Sequence, residues 1–409
     1  MSANTDETGD TSSVVPGWDR YVDGLRRLPD RMLAKMPGGV RDDPLIRHET
    51  GWLALTAAAK KTFEMLGQDG EAPMFMPTLN IVLRSGQPNP DINYRSAIIA
   101  PGGTYRMTGR RGSLHYFLVT QQIPPADRTF EDSSYDGSTG GPEINMATVR
   151  VDADDRYDLL ISPEKPDDYD GDWWQLDPRC NCLLVRLLAA DWDREIDPTL
   201  SIERVDVPIG LGRRATVMGE KLLNDLPAII SASAMRFAGR LQEYRSQGWI
   251  NRVNPVALIM ARGSGNHYYE GSYELAPDEG LLYVSEVPAN CGYRSILVTN
   301  GVYETIDWYN HQSCLNHAQA PLDSDGKLRL VISAQDPGIP NWLDTAGNPM
   351  GMIQGRWWAA DSCPVPVLTR IRLADLRKHL PADTPRISFD ERQAVLRQRR
   401  RALMQRSIW

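Results

Sequence analysis

The feature that most constrains this 409-residue chain is that one stretch of it is written twice. Residues 186–191 read RLLAAD and residues 356–361 read RWWAAD, and the landmarks around them recur in the same order. A tryptophan lies 13 residues before the first arginine (Trp173) and 14 before the second (Trp342). Upstream, VDADDRYDLLIS (151–162) faces LDSDGKLRLVIS (322–333), YFLVT (116–120) faces SILVT (295–299), and AIIAPGG (97–103) faces YELAPDE (273–279). Downstream, PTLSIERV (198–205) faces PVLTRIRL (366–373). Collinear landmarks at nearly equal spacing mark an internal repeat, so residues 72–206 and 252–375 are expected to be two copies of one unit.

The unit reads mostly as strand. DADDR and DSDGK are short polar turns between alternating runs, a hairpin pattern in which Gly326 supplies a positive φ. The D-x-D-G string lacks the further ligands and the terminal Glu of a calcium loop. A helix precedes each copy. In the first, Asp43 and Pro44 form the start, Gly67 the end, and Trp52, Leu55, Ala59, Phe63 and Leu66 a stripe read as core. In the second, Ile230, Phe237, Leu241 and Tyr244 form the stripe, with Pro227 near its start and Gly248 near its end. Trp18, Tyr21, Leu25 and Leu28 suggest a short N-terminal helix. SFDE (388–391) is a capping box opening a C-terminal helix with Arg392, Arg397, Arg399, Arg400, Arg401 and Arg406, read as a solvated or intramolecular face.

These readings give an α+β, mainly β protein: two tandem β-sandwich or jelly-roll-like units, each preceded by a helix, with helices at both termini. The expected segments are a disordered lead-in and short helix (1–40), helix plus first β unit (41–210), helix plus second β unit (211–380) and a C-terminal helix (381–409).

Composition narrows the partners. Hydrophobic residues are 41% and charged residues 24% of the chain, with 11 Trp and 15 Tyr, enough for packed cores. A net charge of -8 repels nucleic-acid phosphates and anionic lipid, so neither a nucleic acid nor a membrane is an expected partner. Five irregularly spaced cysteines suit reduced thiols and a cytoplasmic location. The N-terminus, MSANTDETGDTSSVVPG, lacks the basic and apolar pattern of a signal peptide. Homo-oligomer formation is left open.

Further strings carry a resemblance. NPDINYRSAIIAPGGTYRMTGRRG, DWWQLDP and LLVRLLAADWDREIDPTLSIERV, followed by GNHYYEGSYELAPDEGLLY, SCLNHAQAPLDSDGKLRLVISAQDPGIPNWLDTAG and GRWW, resemble a bacterial family built on the domain of unknown function 1214. The resemblance spans about residues 40–405, and DPGIPNWLDTAG (336–347) is its most specific part. It implies sandwich-like units with helical additions. Members commonly carry His after the Thr-Ala-Gly, where this chain has Asn348, and Arg where it has His311. A catalytic role for that usual His would therefore be missing here.

The repeat also sorts residues by role. Those in both copies, such as Arg186 and Arg356, Asp191 and Asp361, or Trp173 and Trp342, are expected to serve the fold, each Arg pairing with the Asp five residues later. Polar residues of copy two alone are the site candidates. His311 and His317 are expected to act as acid or base with Asp336 as orienting partner, because imidazole titrates near neutral pH. Asn341, Trp342, Asp344, Trp357 and His267 are expected to contact the substrate. No metal site is expected, since His311 and His317 belong to no H-x-H or H-E-x-x-H string. No nucleotide cofactor is expected either: GLGRRA (210–215) reads as a linker and GSTGG (137–141) as a flexible loop. The expected function is a cofactor-independent small-molecule enzyme of hydrolase or lyase type, acting on an apolar or carbohydrate-type compound. The alternative is a non-catalytic protein that binds a carbohydrate- or lipid-like ligand.

Overall fold

The computed structural model describes residues 13–67, 69–124, 139–209, 216–261 and 266–407. The readings of residues 1–12, of GLGRRA and of the first part of GSTGG fall outside them. Four helices come first: α1 (Trp18–Arg26), α2 (Leu28–Leu33), α3 (Gly38–Arg41) and α4 (Pro44–Gly67). The first unit then runs through β1 (Met76–Leu79), β2 (Ile92–Ile98), β3 (Tyr105–Arg110), β4 (Tyr116–Ile123) and β5 (Thr139–Asn145). It continues with β6 (Arg156–Ser162), β7 (Asp172–Gln175), β8 (Cys182–Leu188) and β9 (Thr199–Arg204). Two helices intervene, α5 (Thr216–Phe237) and α6 (Arg240–Ser246). The second unit comprises β10 (Arg252–Ala261), β11 (Asn266–Glu274), β12 (Glu279–Ser285), β13 (Cys291–Val298) and β14 (Cys314–Asn316). β15 (Leu328–Ser333), β16 (Trp342–Asp344), β17 (Met350–Ala360) and β18 (Val367–Arg372) complete it, and α7 (Phe389–Gln405) closes the chain.

The two units share one topology. The first has sheets ordered β1-β2-β8-β4-β5 and β7-β6-β3-β9; the second has β10-β11-β17-β13-β14 and β16-β15-β12-β18. Adding nine to each strand number of the first unit reproduces the second. In each, the five-stranded sheet packs on the four-stranded one around an apolar interior. Ala97, Val119, Val185, Met107 and Ile161 belong to the first interior, and Ile296, Ile353, Trp357, Leu281 and Ile332 to the second. The outer faces of the two five-stranded sheets then stack on each other, bringing Ile92, Leu118 and Leu188 against Tyr293 and Trp358.

The repeat is real, but the arginine landmark is offset within it. Arg186 lies opposite Tyr94 and Leu118. If AP (100–101) matches AP (276–277) and LVT (118–120) matches LVT (297–299), the counterpart of Arg186 is Gln354, which lies opposite Glu270 and Leu297. Arg356 sits two residues further on, where the first unit has Leu188. A two-residue shift keeps every side chain on its face, so alternation alone does not reveal it. The expected Arg-Asp pairs do not form either. Arg186 binds Thr120 Oγ1 at 2.6 Å and Glu143 at 3.2 Å, while Asp361 accepts from the Asn290 backbone at 3.0 Å.

The helices form where the sequence places them, except that the N-terminal stripe divides at Arg27 between α1 and α2, and with two further corrections. On α4 the buried face is Ile46, Leu53, Ala54 and Ala57, together with Thr50, Lys60, Lys61 and Glu64; Trp52, Leu55 and Leu66 of the expected core stripe are exposed. The helix carries two apolar stripes. The one with small residues packs closely on α5, and Lys61 pairs with Glu64 at 3.1 Å so that its charge enters the interior compensated. Before the second unit, the stripe belongs to two helices: Pro227 lies inside α5, and Gly239, at φ 84°, breaks the chain before α6.

α7 staples the two units together. Arg392, Arg399 and Arg406 recur every seven residues and all three are buried. Arg392 binds Asp336 and Gln312 of the second unit. Arg399 donates to the Cys314 carbonyl at 3.0 Å while lying 4.5 Å over the Trp192 ring. Arg406 reaches the first unit, donating to the carbonyls of Asp91 and Leu187 and to Asp197. No helix of the described residues is long and apolar enough to cross a membrane.

Candidate functional site

The segment between β13 and β14 delivers His311. Asp307 folds it: its Oδ1 accepts from the Tyr309 N–H at 3.0 Å and its carbonyl from the His311 N–H at 3.0 Å. From the other side comes the end of β16. Asp344 accepts the Ala346 N–H on Oδ1 at 2.7 Å, and Ala346 and Gly347 both take positive φ, 50° and 80°, turning the chain sharply back. That turn leaves Asp344 Oδ2 2.7 Å from His311 Nδ1. The Asp344 carboxylate raises the His311 pKa above its ordinary value, against the opposing effect of burial. The imidazole is 37% exposed, so it is held on one edge and reachable on the other.

Two further polar atoms lie in the same turn. Thr345 Oγ1 and Asn348 Oδ1 are buried without a partner in the chain, while Asn348 Nδ2 is fixed on the Thr345 carbonyl at 2.9 Å. Buried polar atoms are nearly always satisfied, so such orphans mark places where water or a ligand completes the bonding.

The expected grouping of His311, His317 and Asp336 does not assemble. Asp336 lies beyond the Pro-Gly-Ile-Pro turn, where its carboxylate accepts the Gly338 N–H and pairs with Arg392 at 2.9 Å. Asp344, expected as a substrate contact, is the partner of His311. His317 stands past the other end of β14, in the seam between the units. Its ring lies 5.0 Å from that of His115 and 5.7 Å from that of Tyr293. Burial, with His115 and Arg294 nearby, lowers its pKa to about 4.

The binding candidates scatter. Asn341 donates to the carbonyls of Pro321 and Arg329, both at 2.9 Å. Trp342 is buried, donates to the Ser333 carbonyl and carries the Arg392 guanidinium 5.0 Å over its ring. Trp357 is 1% exposed inside the second sandwich, so neither of its ring faces is open to a ligand. His267 is half-buried on β11, opposite Trp357 and separated from β13 by β17.

Sequence reasoning missed two groups. Asp91, inside the NPDINYR string, is fully buried in the seam; it accepts from Tyr293 Oη, from Asn316 Nδ2 at 2.9 Å and from Trp192 Nε1 at 2.8 Å. Burial raises its pKa while these donors draw it down. Glu49 on α4 and Glu304, in the segment leading to His311, form the second group with Arg84. Burial pushes both carboxyls up to about 7, and Glu49 Oε2 and Glu304 Oε1 lack partners in the chain. The buried Tyr273 hydroxyl is bound to the Thr299 carbonyl at 2.8 Å, and burial raises its pKa, with smaller contributions from the Glu49 and Asp344 charges. The C-terminal arginines divide between the two readings given them: Arg392, Arg399 and Arg406, seven residues apart, are buried on intramolecular partners, and Arg401 is exposed. Among the described residues no three His, Cys, Asp or Glu side chains converge to hold a metal ion.

No family model matches the chain, and no curated protein does. Solved structures do. An uncharacterised protein from Burkholderia cenocepacia superposes with a TM-score of 0.77 at 27% identity, over 88% of this chain and 97% of that one. A Vibrio parahaemolyticus protein aligns over 78% of this chain and 98% of that one, with a TM-score of 0.43 and 11% identity. The Burkholderia protein has the same fold through most of both chains.

Proposed function

We propose that this protein is an enzyme performing acid-base chemistry of hydrolase or lyase type on a small organic molecule, with His311 moving the proton. The observation that carries the reading is the 2.7 Å contact between His311 Nδ1 and Asp344 Oδ2. A carboxylate on Nδ1–H fixes the tautomer and orientation and leaves Nε2 to meet a substrate. Nε2 would take a proton from a hydroxyl, a water or a carbon acid and return it to the departing group. Asp344 acts through His311 and is a positioning residue. Thr345 and Asn348 supply polar atoms for the substrate in the same turn. The resemblance to proteins with the domain of unknown function 1214 is part of the same proposal.

The test is turnover of a panel of esters, lactones and hydroxy acids by the wild type and two variants. His311→Ala is expected to lose at least about a hundredfold in kcat/KM while keeping its circular dichroism. His317→Ala, outside the site, is expected to stay near wild type. Full turnover by His311→Ala would overturn the reading.

A further inference from the structure

A cavity of about 210 Å³ opens on the far side of the signature loop. Its walls are Pro321, Leu322, Ile339, Pro340, Leu380 and Pro385, three of them rigid pyrrolidine rings. Asn341 and Thr384 also line it. Asn341 is 7% exposed; its amide nitrogen is spent on the Pro321 and Arg329 carbonyls, and its Oδ1 has no partner in the chain. Thr384 Oγ1 is likewise buried and without a partner. Arg377 holds this wall in place, donating to the Thr384 carbonyl at 2.8 Å and to the Gly338 carbonyl at 3.2 Å.

The charges in the lining are matched internally. Arg329 is bound by Asp323 at 2.9 Å and by Asp325 at 2.7 Å, and Asp383 stands exposed at the rim, where water screens it. Besides the screened Asp383 carboxylate, the groups left for a ligand are neutral: an acceptor on Asn341 and hydroxyls on Thr384 and Ser324.

We propose that this cavity binds a small, uncharged, hydroxyl-bearing molecule of monosaccharide or cyclitol size. A ligand hydroxyl donates to Asn341 Oδ1, a second bonds Thr384 Oγ1, and C–H faces pack on the proline walls. Buried polar atoms without partners favour a ligand that satisfies them over an apolar one that would leave them bare. The site is separate from the His311–Asp344 pair and stands whether or not that pair is catalytic.

Methyl-labelled protein titrated with glucose, myo-inositol and glucosamine tests this, read at the methyl signals of Leu322, Ile339 and Leu380. Glucose or myo-inositol is expected to move those signals saturably, and glucosamine, with the same shape and a positive charge, to bind more weakly. Thr384→Val, which keeps the side-chain shape and the backbone bonds, is expected to weaken binding about tenfold, the loss of one hydrogen bond. Asn341→Leu, if it folds, is expected to abolish it. Unmoved methyls with both neutral compounds, preference for glucosamine, or unchanged affinity in Thr384→Val would each overturn the proposal.

Discussion

Replacing Arg406 by alanine is expected to destabilise the protein by about 3–5 kcal/mol, the cost of breaking a buried ion pair from one side. Arg406 and Asp197 are 4% and 10% exposed, so removing the guanidinium leaves a buried carboxylate without its counter-charge. The carbonyls of Asp91 and Leu187 lose their donors at the same time. Asp91 is the residue on which Tyr293, Asn316 and Trp192 converge, so the loss reaches the seam between the units. Thermal denaturation is expected to show a fall of several degrees. Arg401→Ala, on the exposed face of α7, is expected to stay within about 0.5 kcal/mol of wild type. Equal effects of the two substitutions would mean that α7 does not staple the units.

The second large effect is on pH dependence. The Glu304 carboxyl is pushed up from 4.5 to about 7 by burial, and Glu49 beside it likewise. The sign follows from proton uptake. Between about pH 4.5 and 7 the folded state holds these protons and the unfolded state has released them, so the contribution of these two groups to stability is fully present below about pH 4.5 and is lost as pH rises through 7. For Glu304, a change of this size corresponds to about 3 kcal/mol. Glu304→Gln, which stays neutral at every pH, is therefore expected to gain stability relative to wild type between pH 5 and pH 8. Urea midpoints at the two pH values measure it. A difference that stays constant with pH would show that Glu304 is ionised in the folded protein already at pH 5.

The fold was legible in the sequence because strand landmarks survive duplication. Asp-rich turns, Ile-Ser strand ends and the Trp of β7 and β16 recur, and Trp173 and Trp342 occupy the same ladder position, opposite Leu160 and Val331. What was not legible came from tertiary choices that leave no periodic trace. The offset between Arg186 and Arg356 preserves the face, and α4 offers two stripes of which packing selects one. His311 was readable as a copy-specific imidazole, but its partner was not. Asp336 and Asp344 lie eight residues apart, and tertiary partners decide which carboxylate reaches the ring: Arg392 holds Asp336, and the positive-φ turn at Ala346 and Gly347 follows Asp344 where it meets His311. Glu49 and Glu304 come from distant parts of the chain and look like ordinary surface acids until burial brings them together.

The central claim is that His311, oriented by Asp344, is the group that transfers the proton. The most direct measurement is the pH profile of kcat/KM, on the compound the wild type turns over best, for the wild type and for Asp344→Asn. Asp344 raises the His311 pKa, so the neutral amide is expected to move the limb governed by His311 to lower pH and to depress kcat/KM. An unmoved profile with undiminished kcat/KM would contradict the claim and assign the proton transfer to another group.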